Sequence, residues 1–314
     1  MTISAATLTP RSVKLTPRTG IEVRRTLPHR DVRMIGAWCF VDHYGPITTA
    51  EAHEAGMSIA AHPHTGLQTV TWLIEGRVEH RDSIGSVQEI NPGELNLMTA
   101  GRGIAHSELS LVVEAAESNL HGVQLWIALP ENARHMVPTF SHHADLPQFE
   151  IHGTSVRLLM GEMAGHQSTA ATFSPLVGAE ISMRPAASVD IPVRPDFEYG
   201  VLVLDGDDVA IDGELVARGA LRYLNVGSTT IKIESASPAR ILLIGGEPFK
   251  EEILMWWNFI GRTQEEIVAM RERWQSSLQN GNESYPIFSD ALGARIPAPE
   301  MPNIRLEPRG AQRN

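Results

Sequence analysis

Val70-Thr71-Trp72-Leu73-Ile74-Glu75-Gly76 is a run of β-branched and aromatic residues that stops at an acid and a glycine, the composition of a strand running into a tight turn. The same grammar continues outward. Arg77 to His80 resumes as a strand, Asp82 to Gly85 turns, and Val87 to Ile90 is a strand stopped by Asn91-Pro92-Gly93. Leu95 to Met98 alternates and stops at Ala100-Gly101-Arg102-Gly103. His121 to Leu129 ends at Pro130. Short strands with a turn every few residues predict a sandwich or barrel and exclude a parallel βαβ fold.

The pattern recurs. Val201-Leu202-Val203-Leu204-Asp205-Gly206 is followed by Arg218-Gly219-Ala220-Leu221-Arg222-Tyr223-Leu224 and Gly227, in the same order of strand, acidic-Gly turn, glycine and alternating strand. Two copies of one β fold are therefore expected, a duplicated barrel. Aligned on the acidic-Gly turns, Pro192 stands where the first copy has His62, Arg194 where it has His64, and Thr229 to Glu234, opposite the region of His106, holds no histidine. The fold is expected twice and the chemistry once.

Between the copies, Asn132 to Phe149 shows no periodicity and reads as a linker, with His135, His142 and His143 as solvent-exposed linker residues. Asp42-His43-Tyr44-Gly45 reads as a turn after the apolar strand around Cys39. At the far end Thr263 caps a helix, with Glu266 three residues on and Ile267, Met270 and Trp274 on one face. Ile296-Pro297-Ala298-Pro299 and Met301-Pro302 read as an extended tail tied to a surface.

Across 314 residues, hydrophobic side chains make up 42% and charged ones 20%, which excludes a disordered chain. Lys plus Arg number 26 against 37 Asp plus Glu, a net charge of −11, which argues against a broad nucleic-acid surface. No apolar run approaches membrane-spanning length. The single cysteine, Cys39, excludes an intrachain disulfide and reads as a packed core thiol. These features predict a soluble cytoplasmic protein.

His62-Pro63-His64 and His106-Ser107-Glu108 each place two donors at i and i+2, the same face of a strand, about 7 Å apart at the Cα. Together they offer three imidazoles and one carboxylate. That set suits a first-row transition metal. Zn²⁺ would close a tetrahedral site with all four, whereas Fe(II), Mn, Ni or Cu could keep two further positions open. The spacing leaves the metal undecided.

His62-Pro63-His64-Thr65-Gly66-Leu67-Gln68-Thr69-Val70-Thr71 and Met98-Thr99-Ala100-Gly101-Arg102-Gly103-Ile104-Ala105-His106-Ser107-Glu108 resemble the two signature stretches of the pirin family, within the cupin superfamily. The resemblance implies an all-β bicupin of two cupin-type β-barrels with a C-terminal helix and extended tail. Residues 1–135 would form the metal-binding cupin domain, 136–149 the linker, 150–250 a cupin domain without metal, and 251–314 the helix and Pro-rich tail. It implies His62, His64, His106 and Glu108 as ligands of one divalent metal per chain, most often Fe(II). The family often has Glu where this chain has Gln68, so a carboxylate near the site would be missing.

Two functions follow from the resemblance. One is a quercetin 2,3-dioxygenase-like oxidoreductase that cleaves a flavonol-like small aromatic substrate with O₂. Glu108, the one carboxylate of the set, would accept the substrate's hydroxyl proton. The alternative is a non-enzymatic iron-binding redox sensor that acts through a regulatory protein partner, with no direct nucleic-acid contact.

Overall fold

The computed structural model describes residues 3–15, 21–48, 58–111, 119–289 and 292–312. Two large antiparallel sheets dominate. The first runs in the spatial order Thr139–His143, Leu95–Thr99, Leu67–Glu75, Asn119–Ala128, Trp38–Thr48, Glu22–Leu27, Arg11–Lys14. The second runs Ala5–Leu8, Leu221–Leu224, Glu198–Asp205, Ala239–Gly246, Leu176–Met183, Thr154–Met163, Gln148–Ile151, with His166–Gln167 beside it. Each has a companion small sheet: Ser58–His64, Ile104–Ser110, Val78–Asp82, Val87–Ile90 in one case and Ala187–Pro192, Thr230–Ser235, Val209–Ile211, Glu214–Leu215 in the other. Position for position the two lists correspond, so the repeat seen in the sequence is a repeat of topology, and the fold is a bicupin.

Two segments depart from the expected division. Thr139–His143, inside the expected 136–149 linker, is an edge strand of the first sheet, with Thr139 opposite Thr99 and His143 opposite Leu95. His142 Nδ1 lies 2.6 Å from Asn96 Oδ1; His142 and His143 are half-buried, and only His135 is exposed. Ala5–Leu8, inside the expected 1–135 domain, pairs with Leu221–Leu224 of the second sheet. The physical reason is the same for both. Each sheet leaves one edge open, and an open edge is a row of unpaired N–H and C=O groups. The chain closes the first edge with the segment after its barrel and the second with its own N-terminal region. Asp42 to Gly45 is likewise not a turn: the strand Trp38–Thr48 runs through it.

The two large sheets pack face to face. Val70, Trp72 and Leu125 of the first meet Leu202, Leu242 and Ile244 of the second in the largest apolar cluster. Trp72 Nε1 donates across it to Glu180 Oε2 at 2.8 Å, and Trp38 Nε1 to the Gly245 carbonyl at 3.1 Å. Leu67–Glu75 is buried at every residue but the last, which is why it carries no charged side chain before Glu75.

Behind this shared layer the barrels differ. The interior of the second is filled by Val189, Ile191, Ile231, Ile233 and their neighbours. Ala187–Pro192 and Thr230–Ser235 are the counterparts of the two strands that carry the first barrel's histidines. Inside the first barrel the apolar residues form separate smaller clusters, and a cavity of about 420 Å³ remains.

The helix Gln264–Gln275 is capped by Thr263, whose Oγ1 accepts from Glu266 N at 3.2 Å. The Glu266 carboxylate accepts from Arg262 N and Arg134 and does not close back on Thr263. Ile267, Met270 and Trp274 pack on Leu254, Phe259 and Tyr285, with Trp256 and Trp257 against the same cluster. The tail is tied down by short bridges at Ala61 to Arg295, Ile253 to Arg309 and Val32 to Gln312. Cys39 is buried, and burial pushes its thiol up to about 12, so it is a core thiol. Among the described residues no helix is long and apolar enough to cross a membrane.

Candidate metal centre

Ser58–His64 and Ile104–Ser110 lie side by side, with His106 opposite His62 and Ile104 opposite His64. The register slips between His106 and Glu108: the partner of Glu108 is Ile59, so three steps on one strand face two on the other. Such a bulge bends a strand and re-aims its side chains. The backbone it frees is taken up by the tail, where Ala61 N donates to Ala294 O at 3.2 Å and Ile296 N to Ala61 O at 2.8 Å. The extended tail thus buttresses the strand that carries His62 and His64.

Ring centroids lie 5.0 Å apart for His62 and His64, 4.4 Å for His62 and His106, and 5.0 Å for His64 and His106. One donor nitrogen from each falls within 4.8 Å of the others; among the described residues this is the one such group of three or more. His62 Nδ1 donates to the Ala60 carbonyl at 2.9 Å, which leaves its Nε2 lone pair free. His64 Nε2 and His106 Nε2 are buried without a hydrogen-bond partner. Buried polar atoms are seldom left unpaired. Three converging imidazole lone pairs, two of them otherwise orphaned, fit a bound transition metal.

A second row of residues stands behind His106, and sequence reading missed it. Ile84 N and Ser86 N donate to Asp82 Oδ1 at 3.0 and 2.9 Å. Asp82 Oδ2 lies 3.1 Å from His80 Nε2, and His80 Nδ1 lies 3.3 Å from His106 Nδ1. Burial would raise the Asp82 carboxyl, but His80 and the Ser86 N–H outweigh it and hold it below its ordinary value. With one ring proton, on Nε2 toward this carboxylate, His80 would accept at Nδ1; His106 would then donate from Nδ1 and turn Nε2, which has no other partner, to the centre as a bare lone pair. The signal was in the sequence: His80 and Asp82 stand at i and i+2, as His106 and Glu108 do. Removing such an outer partner typically weakens metal binding 10–100-fold. Asp82→Ala and His80→Ala should each do so by about that factor, measured by competition with a chromogenic chelator; unchanged affinity in both would reject the relay.

Glu108 stands in the wall of the same cavity, outside the 4.8 Å group. Its Oε1 is 3.4 Å from the Thr71 hydroxyl, which also lies 3.1 Å from Gln124 Oε1. Burial pushes its carboxyl up. The structure therefore brings three of the four singled-out residues into contact and sets the fourth beside them. Asp42 also lines the cavity but is held by Arg25 through two bonds of 2.7 and 2.8 Å. Gln68 is elsewhere. Strand alternation turns it, with Val70 and Trp72, toward the second barrel, where Nε2 donates to Thr99 Oγ1 and the Ala171 carbonyl. The residue at 68 therefore takes no carboxylate away from the cavity. Arg102 sits exposed in its turn.

The rest of the wall mixes aromatic side chains with basic ones, Arg11, Lys14 and Arg25. Phe40 stacks on Trp126 at 4.0 Å, His64 meets Trp126 edge-on, and Trp257 lines the opening.

Burial holds all three imidazoles neutral: His62 falls to about 4, and His64 and His106 are lowered well below the ordinary value. In the unfolded chain they take up protons near 6.5, while in the folded chain His62 resists to about 4 and burial makes His64 and His106 resist as well. The unfolded state therefore binds more protons in this window, and stability falls as pH falls through it. At about 1.4 kcal/mol per unit, His62 alone contributes about 3 kcal/mol. The metal-free chain should melt at a clearly lower temperature at pH 5 than at pH 7.5. Equal melting temperatures would show that the histidines are not neutral and buried.

The comparisons agree with this architecture. The family description Pirin matches residues 20–127, and Pirin C-terminal cupin domain matches residues 178–280. A Pseudomonas aeruginosa protein named, provisionally, a quercetin 2,3-dioxygenase is 44% identical over 283 residues, 90% of this chain and 87% of its own length. A pirin-like protein of Caulobacter vibrioides is 32% identical over 89% of this chain and 94% of its own. The crystal structure of a quercetin 2,3-dioxygenase from Acinetobacter baumannii superposes with a TM-score of 0.87 at 40% identity, covering 96% of this chain and 97% of that one. With both barrels matched in order and the paired-histidine strands inside the first match, the chain belongs to the pirin family.

Proposed function

We propose that the chain is a metal-dependent flavonol 2,3-dioxygenase-type enzyme of the cytoplasm. His62, His64 and His106 would hold the metal, with Glu108 as its fourth ligand and Fe(II) as the metal. The observation that carries this reading is the cavity itself. Unpartnered imidazole nitrogens, a buried carboxylate and the aromatic side chains Phe40, Trp126 and Trp257 meet in one space of about 420 Å³, within the range of small-molecule sites. The related proteins named for quercetin cleavage point the same way. For the location, the single buried thiol fits a reducing compartment.

The bound metal would supply Lewis acidity toward the substrate's hydroxyl and a template for O₂. The chain supplies the rest. Phe40, Trp126 and Trp257 give the wall apolar ring surface for a polyphenol, mostly at their edges, since the Phe40 ring lies between Trp126 and the Arg25 guanidinium. Asp42 is occupied by Arg25, so Glu108 is the carboxylate left to take the proton from the substrate's hydroxyl. Its burial raises its affinity for that proton, while the cation's charge opposes this. The test is quercetin-dependent O₂ uptake with carbon monoxide release by the iron-loaded chain. Absence of both at full metal occupancy would reject the reading.

A further inference from the structure

We propose that Trp257, at the tip of a hairpin beside the imidazoles, is the residue that selects the substrate, its indole being the contact surface for an extended planar aromatic ring system in the metal cavity. The proposal rests on the reading of that cavity as a substrate site and names the residue that discriminates among ligands there.

The first observation is in the backbone. Leu254–Trp256 and Phe259–Gly261 pair with Leu254 opposite Gly261 and Trp256 opposite Phe259, so Trp257 and Asn258 are the whole turn. Trp257 has a φ of +51°. In that region a Cβ crowds the neighbouring carbonyl, and two-residue hairpin turns therefore favour Gly, Asn or Asp at such a position. A bulky residue there is an outlier. Asn258, which suits the conformation better, stands one place away. Among the described residues five others besides glycine have a positive φ, all of them Ala, Asp or His, and none lines the metal cavity. Strain of this kind persists where the surroundings impose it, and it gathers at ligand sites.

The surroundings impose it here. Thr65, the residue after His64, bridges to Phe259, and Ile260 N donates to Thr65 O at 2.9 Å. Gly66 permits this approach, since a Cβ on it would meet the Ile260 carbonyl oxygen at 2.2 Å. Phe259 and Ile260 are fully buried, Phe259 against Ile267, Met270 and Trp274 of the helix. The turn is thus fixed to the end of the strand that carries His62 and His64, and Trp257 lines the cavity with them.

The second observation is what the rings already touch. Phe40 lies between Trp126 and the Arg25 guanidinium, and Trp126 stacks on Phe40 and meets His64 at 78°. The half-buried Trp257 is held from the side: Phe259 meets it at 77° and Trp256 at 58°, with centroids 5.5 and 6.5 Å away. Of the three cavity aromatics it is the one without a parallel ring partner among the described residues. A parallel, offset stack is the contact that a flat ligand can still add.

The test uses the full chain, metal-loaded and under nitrogen, with equilibrium dialysis of two probes. Quercetin is extended and flat. 3-Hydroxy-2-methyl-4-pyranone keeps the 3-hydroxy-4-keto group in a single ring. Trp257→Gly, which suits the positive φ, should weaken quercetin binding about tenfold and leave pyranone affinity and metal content unchanged. Trp257→Leu, which keeps apolar bulk without a ring, should do the same and guards against misfolding of the glycine variant. Trp257→Phe should stay within about threefold of the natural chain, because a ring remains.

Quercetin affinity unchanged in the glycine and leucine variants, or an equal loss for both probes, would overturn the proposal. So would loss of metal together with quercetin, since Trp257 would then be holding the histidine strand. Selective loss of quercetin binding in a chain that takes up no O₂ would sink the ring-cleavage reading and leave this one standing. O₂ uptake with quercetin that no Trp257 variant affects would do the reverse.

Discussion

His62→Ala or His106→Ala should each leave a folded chain that retains less than about a tenth of its bound metal after dialysis. Each substitution deletes one of three imidazole nitrogens that lie within 4.8 Å of one another, one of the four donors of the proposed set, so affinity should fall steeply. For His106 the loss is compounded, because His80 Nδ1, 3.3 Å away, loses its partner. Folding should survive. The apolar layer between the barrels and the filled interior of the second barrel are built from other residues, and a chain of this size does not depend on one ion for its core. Elemental analysis gives the metal-to-chain ratio, and circular dichroism the folded state. Arg194→Ala is the control: Arg194 pairs with Asp196 on the surface of the second barrel, so about one metal per chain should remain. Unchanged metal in both histidine variants would remove His62 and His106 from the ligand set.

What the sequence disclosed and what it hid follow from the range of the interactions. Strands announced by local composition, such as Val87–Ile90, and the capped helix with Ile267, Met270 and Trp274 inward were legible because a few neighbouring residues decide them. The paired histidines were legible for the same reason, since i and i+2 share a face in any strand. The contents of the opposite strand were not. His80 meets His106 only because Val78–Asp82 pairs with Ile104–Ser110, a choice made by the whole barrel. Gln68 stands four residues after His64 and looked close to the site, but alternation sends it to the layer between the barrels. The same limit hid the edges: Thr139–His143 is half-exposed, so it lacks the alternation that marks a strand with one wet and one buried face. Asp42 was hidden in another way. A polar run, Asp42-His43-Tyr44, imitates a turn, yet all three are buried, one toward the cavity and His43 against His121 at 2.8 Å.

Glu108→Gln should lower flavonol cleavage by roughly 10²–10⁴-fold, the usual loss on removing a general base, while the protein keeps part of its metal. The substitution preserves size and one oxygen donor but cannot accept a proton at neutral pH. Thr71, 3.4 Å from Oε1, can still donate to the amide oxygen, so the side chain should stay in place. The comparison must be made at matched metal occupancy, because a weakened site would otherwise imitate a lost base. Asp42 cannot substitute for Glu108 while Arg25 holds it by two bonds. Restoring a carboxylate one methylene shorter, in Glu108→Asp, should recover part of the rate and metal content together if distance to the substrate is what matters. Equal rates for the natural chain and Glu108→Gln would exclude proton transfer by this residue and leave it only a role in holding the ion. The pH profile separates the cases further. If Glu108 is the base, the rate of the natural chain falls on the acid side as the carboxylate is protonated, and the slow residual rate of Glu108→Gln lacks that limb. If the limb persists in the variant, the titrating group is the substrate or another residue.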